Sequence, residues 1–377
     1  MPDLDPPRFI RDAASLQALA EDLRGILRAG VDTESNSLHA YRERVCLIQI
    51  SSPGQDYLLD PLALTDLSPL KDFFEDPHVE KIFHAAEYDL LCLRRDFGFH
   101  VRGLFDTHAA SRALGCKECG LNALLAREYG ITLDKPMQRA NWGQRPLSER
   151  MLEYARLDTH YLPALCDRLG EMIEAAGLEA ELRDEFLRLE IIPDLESTEP
   201  ESNPFWKLRG VYELQPPQRA ILLSLYEWRE KEARQIDRPP FHVLSGEAMI
   251  HLAQTAPASI KELIDGGITE RIAGRWGKAI LQAVAHGKGR KPPVPGRNSH
   301  LDEQAQARLE SLRKWRKQRA GKRGVESDVI LCRDAMFRIA RQAPRTLSAL
   351  EEIPGLGPYR LGKYGEEILA LIKIATP

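Results

Sequence analysis

Long apolar runs are missing from this chain, and cysteine is sparse. No stretch approaches the roughly 20 apolar residues that span a bilayer, so no membrane association is expected. Six cysteines among 377 residues are too few for a disulfide framework. The segment Met1-Pro2-Asp3-Leu4-Asp5 also lacks the basic-then-apolar pattern of a secretion signal. Together these features lead to the expectation of a cytoplasmic protein. Cys116-Lys117-Glu118-Cys119 has the spacing of half a zinc site, but no second half follows nearby. Two incidental thiols in a turn are the simpler reading. Net charge is also small, at −4, yet it is unevenly spread. Residues 1–200 hold 22 basic and 36 acidic side chains, a net −14, and residues 201–377 hold 30 and 20, a net +10. An acidic front and a basic rear suit a metal-dependent catalytic region joined to one that grips phosphates.

What the chain does have is carboxylates where a carboxylate is costly. Val31-Asp32-Thr33-Glu34 lies in an apolar, strand-like segment. Side chains alternate along a strand, so Asp32 and Glu34 project from one face. Two anions in a partly dry place repel unless a cation sits between them, and a divalent metal with hard oxygen ligands is the usual solution. Taken alone, the pair also fits a strand end with two solvated acids. Two further segments weigh against that reading. Lys81–Phe83 reads as a strand passing into a helix that carries Asp89. Tyr154-Ala155-Arg156-Leu157-Asp158 follows a helix start at Pro146-Leu147-Ser148, where Ser148 can cap the free amides. Tyr154 and Asp158 are four apart, so they share a helix face, expected to continue through Tyr161, Leu162 and Leu165.

In this order the three segments resemble the motifs of the DEDDy 3′–5′ exonucleases, and among them the ribonuclease D family. The flanks extend the resemblance through roughly the first 200 residues: Val45-Cys46-Leu47-Ile48-Gln49-Ile50-Ser51, Phe105-Asp106-Thr107, Leu133-Asp134-Lys135, Gln138-Arg139, Trp142 and Arg145-Pro146-Leu147-Ser148. The sequence departs from the family at Ser35-Asn36-Ser37, where an aromatic often follows the glutamate, and at His108, where glutamine is frequent. The resemblance implies an α/β ribonuclease H-like exonuclease domain over residues 1–205, with a mixed sheet flanked by helices. It further implies that Asp32, Glu34, Asp89 and Asp158 hold two divalent ions, Mg²⁺ or Mn²⁺, and that Tyr154 orients the attacking water. Phosphodiester hydrolysis fits such a set, because two ions can activate water and steady the leaving oxygen. A tyrosine with a pKa near 10 is a poor base, so the role expected of Tyr154 is positioning.

From Leu121 onward nearly everything reads as helix, and Pro204-Phe205-Trp206 closes the front region. The rear half repeats at an offset of 87 residues: Trp228-Arg229 meets Trp315-Arg316, Ala248-Met249 meets Ala335-Met336, and Ala256-Pro257 meets Ala343-Pro344. Each copy resembles an HRDC domain, a small helical bundle, over residues 212–287 and 301–377, with a Gly/Pro/basic linker at 288–300. Their basic residues are the candidate nucleic-acid contacts: Arg271, Arg275 and Lys278 in one copy, Arg313, Lys314, Arg316 and Lys317 in the other. Ile353-Pro354-Gly355-Leu356-Gly357 resembles a helix-hairpin-helix turn whose amides meet phosphates. The Gly357–Tyr364 stretch nearly spells a nucleotide-binding loop, but Tyr364 stands where Ser or Thr must bind magnesium and no strand precedes it, so ATP is not expected.

The function that the resemblance implies is that of a 3′–5′ exoribonuclease that releases nucleoside 5′-monophosphates and processes tRNA precursors and other structured RNAs. A DNA exonuclease is the alternative within enzymes, since the metal chemistry is blind to the 2′-hydroxyl. An inactive RNA-binding scaffold is the alternative outside them. The basic rear half is expected to be separable from the catalytic front.

Overall fold

Six strands build one twisted mixed sheet in the computed structural model, which describes residues 5–132, 135–191, 204–294 and 302–374. The Leu133-Asp134 pair, the acidic stretch 193–203 and linker residues 295–300 lie outside them. The strands are β1 (Arg8–Ile10), β2 (Arg28–Ser35), β3 (Val45–Ser52), β4 (Gln55–Leu59), β5 (Glu80–Phe83) and β6 (Leu104–Asp106), in the order β1-β4-β3-β2-β5-β6. Pairings β2–β3 and β3–β4 are antiparallel, and the other three are parallel. Among the described residues no strand follows β6. The mixed sheet flanked by helices is therefore the architecture expected from the sequence, with one addition. The edge strand β1 is three residues long and pairs only with β4, too short for its period to stand out.

β2 is central because its residues bury on both faces: Ala29 and Val31 are fully enclosed on one, and Gly30 is buried on the other. Gly30 admits the helix above it. A Cβ there would lie 2.7 Å from the Thr159 carbonyl oxygen. The overlying helix, Glu149–His160, starts where expected, with the Ser148 hydroxyl accepting from the Met151 amide at 3.3 Å. It stops at Tyr161, and a new helix, Leu162–Ala176, begins with Pro163 in its first turn. The expected continuous face through Tyr161 and Leu165 is thus broken, because proline cannot donate to the preceding turn.

Two anchors hold this helix to the sheet. The Arg145 guanidinium forks onto Asp60 with two 2.6 Å bonds and also donates to the carbonyls of Cys46, Trp142 and Gln144. Further along, Arg156 Nε donates to Asp56 Oδ2 on β4 at 2.8 Å, both side chains being buried, and His160 Nδ1 meets the same carboxylate at 2.9 Å. Removing one partner of such a pair strands a buried charge. Arg156→Ala should cost about 3–5 kcal/mol, read as a lower urea midpoint; a loss under about 1 kcal/mol would show the anchor to be dispensable.

The chain divides into two compact units. One holds the sheet, its helices and the second helical repeat; the other holds residues 36–44 and the first repeat. Within the latter, Phe205 is enclosed with Val211, Leu222, Leu252 and Ile280, so it belongs to the first repeat's core and does not close the front region. The two repeats share one design: Pro216–Gln235 corresponds to Glu303–Arg323, Gly246–Thr255 to Arg333–Gln342, and Glu270–Lys288 to Pro358–Ile374. Even the left-handed caps coincide, at Ala256 (φ 46°) and Ala343 (φ 49°).

Their surroundings differ. The second repeat packs onto the helix Glu179–Glu190, with Arg323 on Glu181 and Arg360 Nη2 on Glu185 at 2.9 Å. The Gly355-Leu356-Gly357 hairpin lies here too. The amide of Arg360 donates to Asp184 Oδ2 at 3.1 Å, and a Cβ on Gly357 would fall 2.4 Å from the Asp184 Cγ. A carboxylate of the chain itself thus lies against the hairpin where a phosphate was expected. This repeat completes the packing of the front region, which corrects the expectation of a separable rear half.

Candidate active site

β2 delivers two acids and the Glu149–His160 helix delivers a third to the same cleft. Ligand oxygens of Asp32, Glu34 and Asp158 all lie within 4.8 Å of one another, the one such acidic or His/Cys group among the described residues. Asp89, in the first turn of the helix Glu87–Phe97, lies beside this trio and is buried, taking a hydrogen bond from the Thr33 hydroxyl. The Tyr154 hydroxyl lies beside Asp158, one turn away on the same helix. The cleft has a volume of about 420 Å³, and besides Asp32, Glu34, Asp158 and Tyr154 it is lined by residues that include Thr33, His84, Asn122, Gln138 and Leu162.

The electrostatics follow from crowding anions. Burial pushes the Asp32 carboxyl well up, and the charges of Asp89, Asp158 and Glu34 add to the effect. Burial, then Asp158 and Asp89, raises Glu34 to about 9. Asp89 and Asp158 are each pushed up to about 7 by burial, against hydrogen bonds from Thr33 and Tyr154 that favour their ionised forms. The Tyr154 phenol is raised by burial and by its acidic neighbours, so it stays protonated.

These residues fit a divalent cation. The donors are all carboxylate oxygens, the set that suits Mg²⁺, Mn²⁺ or Ca²⁺ over zinc. Beside them, Gln49 sits opposite Asp32 in the β2–β3 ladder, and both its amide atoms are buried without a partner.

A stability test arises from the signs. Each folded-state pKa lies above its ordinary value, so the metal-free fold is favoured below pH 4. That advantage drains away as pH rises through about 7 for Asp89 and Asp158 and about 9 for Glu34. A bound cation removes the repulsion. The rise in Tm on adding Mg²⁺ should therefore grow from pH 5.5 to pH 8.5, at about 1.4 kcal/mol per pH unit for each proton displaced. Thermal melts in Mg²⁺ and in chelator measure it, and a pH-independent difference would contradict it.

The candidate nucleic-acid contacts fall into separate sets. Arg271, Arg275 and Lys278 share an exposed face of the Glu270–Lys288 helix, with the Arg275 guanidinium 4.5 Å from the Trp276 ring centroid. Arg313, Lys314 and Lys317 are exposed on the Glu303–Arg323 helix. Arg316 differs: it donates to the Leu331 carbonyl at 3.0 Å and its Nε is buried, so it ties two segments of the second repeat together. The Cys116 and Cys119 thiols are both free.

His84 and the Asp106-Thr107-His108 segment were not singled out from the sequence as site residues. His84 lines the cleft and its Nδ1 meets the Thr107 hydroxyl at 2.9 Å. Asp106 accepts from the amides of Ala85 and Ala86 at 3.0 and 2.9 Å, holding Ala85 at φ 64°. The signal was the Phe105-Asp106-Thr107 run, whose partner across the fold no local pattern discloses.

Comparison with known proteins agrees with this geometry. Residues 7–174 match a family described as 3′-5′ exonuclease, and residues 218–284 and 305–372 each match the HRDC domain. Ribonuclease D of Desulfotalea psychrophila is 31% identical over 305 residues, covering 78% of this chain and 81% of that protein. The exosome complex exonuclease RRP6 of Saccharomyces cerevisiae is 34% identical over 282 residues, covering 71% of this chain. The chain spans 38% of that yeast protein's length and 30% of the Caenorhabditis elegans exosome component 10 homologue. Among solved structures, Escherichia coli RNase D, an exoribonuclease involved in structured RNA processing, superposes with a TM-score of 0.71 at 25% identity, covering 98% of this chain and 99% of that one.

Proposed function

Because this chain belongs to the ribonuclease D family of 3′–5′ exonucleases, we propose that it hydrolyses RNA from the 3′ end, releasing nucleoside 5′-monophosphates. The observation that carries this reading is the convergence of Asp32, Glu34 and Asp158 oxygens within 4.8 Å, beside a protonated Tyr154. Asp32, Glu34, Asp89 and Asp158 would hold two divalent ions, Mg²⁺ or Mn²⁺. Such ions, when bound, supply Lewis-acid activation of water and neutralise charge on the phosphoryl and leaving oxygens.

The chain's own groups do the rest. Tyr154 keeps its proton and presents its hydroxyl beside Asp158, where it orients the attacking water. Arg156 and His160, gripping Asp56, hold the helix that carries both. The exposed basic faces at Arg271, Arg275 and Lys278, and at Arg313, Lys314 and Lys317, supply phosphate contacts for longer RNAs, with binding that weakens steeply with salt. Structured RNAs such as tRNA precursors are the proposed substrates. The proposed compartment is the cytoplasm: none of the six cysteines forms a disulfide, and no described helix is long and apolar enough to cross a membrane.

The test is purified protein on 5′-end-labelled RNA with Mg²⁺ or Mn²⁺. Stepwise shortening by single nucleotides, abolished by chelator, supports the proposal. Internal cuts, or no cleavage with either ion, would overturn it.

A further inference from the structure

We propose that His84 is a specificity-determining residue that accepts a hydrogen bond from the ribose 2′-hydroxyl of the 3′-terminal nucleotide, so that the cleft distinguishes RNA from DNA. The inference rests on the exonuclease reading of the same cleft.

Its first support is a tautomer fixed by bonding. The Thr107 hydroxyl has one hydrogen, and it donates to the Phe83 carbonyl at 2.9 Å. His84 Nδ1, also 2.9 Å from that hydroxyl, must therefore be the donor to it. A neutral imidazole with its proton on Nδ1 carries a bare lone pair on Nε2. Among the described residues nothing bonds that nitrogen, and His84 lines the cleft that holds Asp32, Glu34, Tyr154 and Asp158.

The second support is neutrality. Burial, then the neighbouring His108, lowers His84 to about 3, so the ring carries no charge at neutral pH. A neutral acceptor repels phosphate oxygens, and among the groups a substrate offers only an O–H or N–H donor satisfies it. On a sugar–phosphate chain without base contacts, ribose hydroxyls are those donors, and the 2′-hydroxyl is the one that separates RNA from DNA.

The third support is rigidity. Asp106 clamps the amides of Ala85 and Ala86, holding Ala85 in the left-handed region that a non-glycine residue rarely adopts. His108 packs edge-on to the His84 ring at 5.5 Å between centroids. Asp106, Thr107 and His108 thus all bear on one turn and fix where His84 points. Backbone strain retained in a binding cleft marks a side chain whose aim matters.

The experiment uses the full chain and short RNAs differing only in the terminal sugar: 2′-hydroxyl, 2′-deoxy and 2′-fluoro. Fluorine keeps size and electronegativity but cannot donate. Wild type should cleave the ribo terminus about 3- to 10-fold better in kcat/KM than either analogue, the range of one neutral hydrogen bond. His84→Phe, which keeps a ring but loses the lone pair, should bring the ratio near one by slowing only the ribo substrate. Equal rates on all three sugars by wild type, a fluoro terminus as good as the ribo one, or a ratio that survives in His84→Phe would each overturn the assignment. So would a preference that follows the terminal base instead of the sugar. These outcomes all occur with an active exonuclease; absence of cleavage on every substrate would instead count against the exonuclease reading. If His84→Phe does not fold, His84→Ala serves in its place, and a wild type that treats all three sugars alike still overturns the assignment.

Discussion

Asp32→Asn should lose about 10³-fold or more in hydrolysis, since several kcal/mol of transition-state stabilisation depend on charge the carboxamide cannot supply. The same change should leave the metal-free protein as stable as wild type or more so. Burial and the charges of Asp89, Asp158 and Glu34 disfavour the ionised Asp32 carboxyl, so a neutral isostere relieves a cost. Activity and stability thus move in opposite directions, as expected where a fold stores repulsion for a ligand. Rates on labelled RNA together with melts in chelator test the pair of outcomes. Lost activity with a clearly lower Tm would mean that the substitution had damaged the fold.

Tyr154→Phe should lose about 10²–10⁴-fold in kcat, the range for a positioned group that handles a proton. KM and the Mg²⁺-induced rise in Tm should change little. Burial and the acids around it hold the phenol in its protonated form, so the pH–rate profile should show no tyrosine ionisation in either protein. A matching loss of metal affinity would mean that the hydroxyl acts by fixing its neighbour Asp158.

The parts of this site that obey a local period were legible in the sequence. Asp32 and Glu34 share a strand face, Tyr154 and Asp158 a helix face, and both face the same cleft. Asp89 falls in the first turn after β5, as its strand-to-helix motif indicated. Contacts closed across the fold were not legible. The Thr107 bond that sets the His84 tautomer spans 23 residues, and the Asp184 carboxylate beneath the Gly357 hairpin lies far earlier in the chain. Nothing in the repeat itself revealed that its second copy would pack onto the front region, because the deciding partners, Glu181, Asp184 and Glu185, sit on a helix of ordinary amphipathic pattern. The break at Tyr161 was the one feature that local rules could have located, from Pro163.

Four acids from β2 and two helices are proposed to form a divalent-metal site. Crystals soaked in Mn²⁺ and measured for anomalous scattering test it most directly. Manganese should be bound by Asp32, Glu34 and Asp158, with Asp89 reaching a second ion, and the signal should be lost in Asp32→Asn. Manganese absent from this cleft in crystals of active protein, or held there equally by the Asp32→Asn variant, would contradict it.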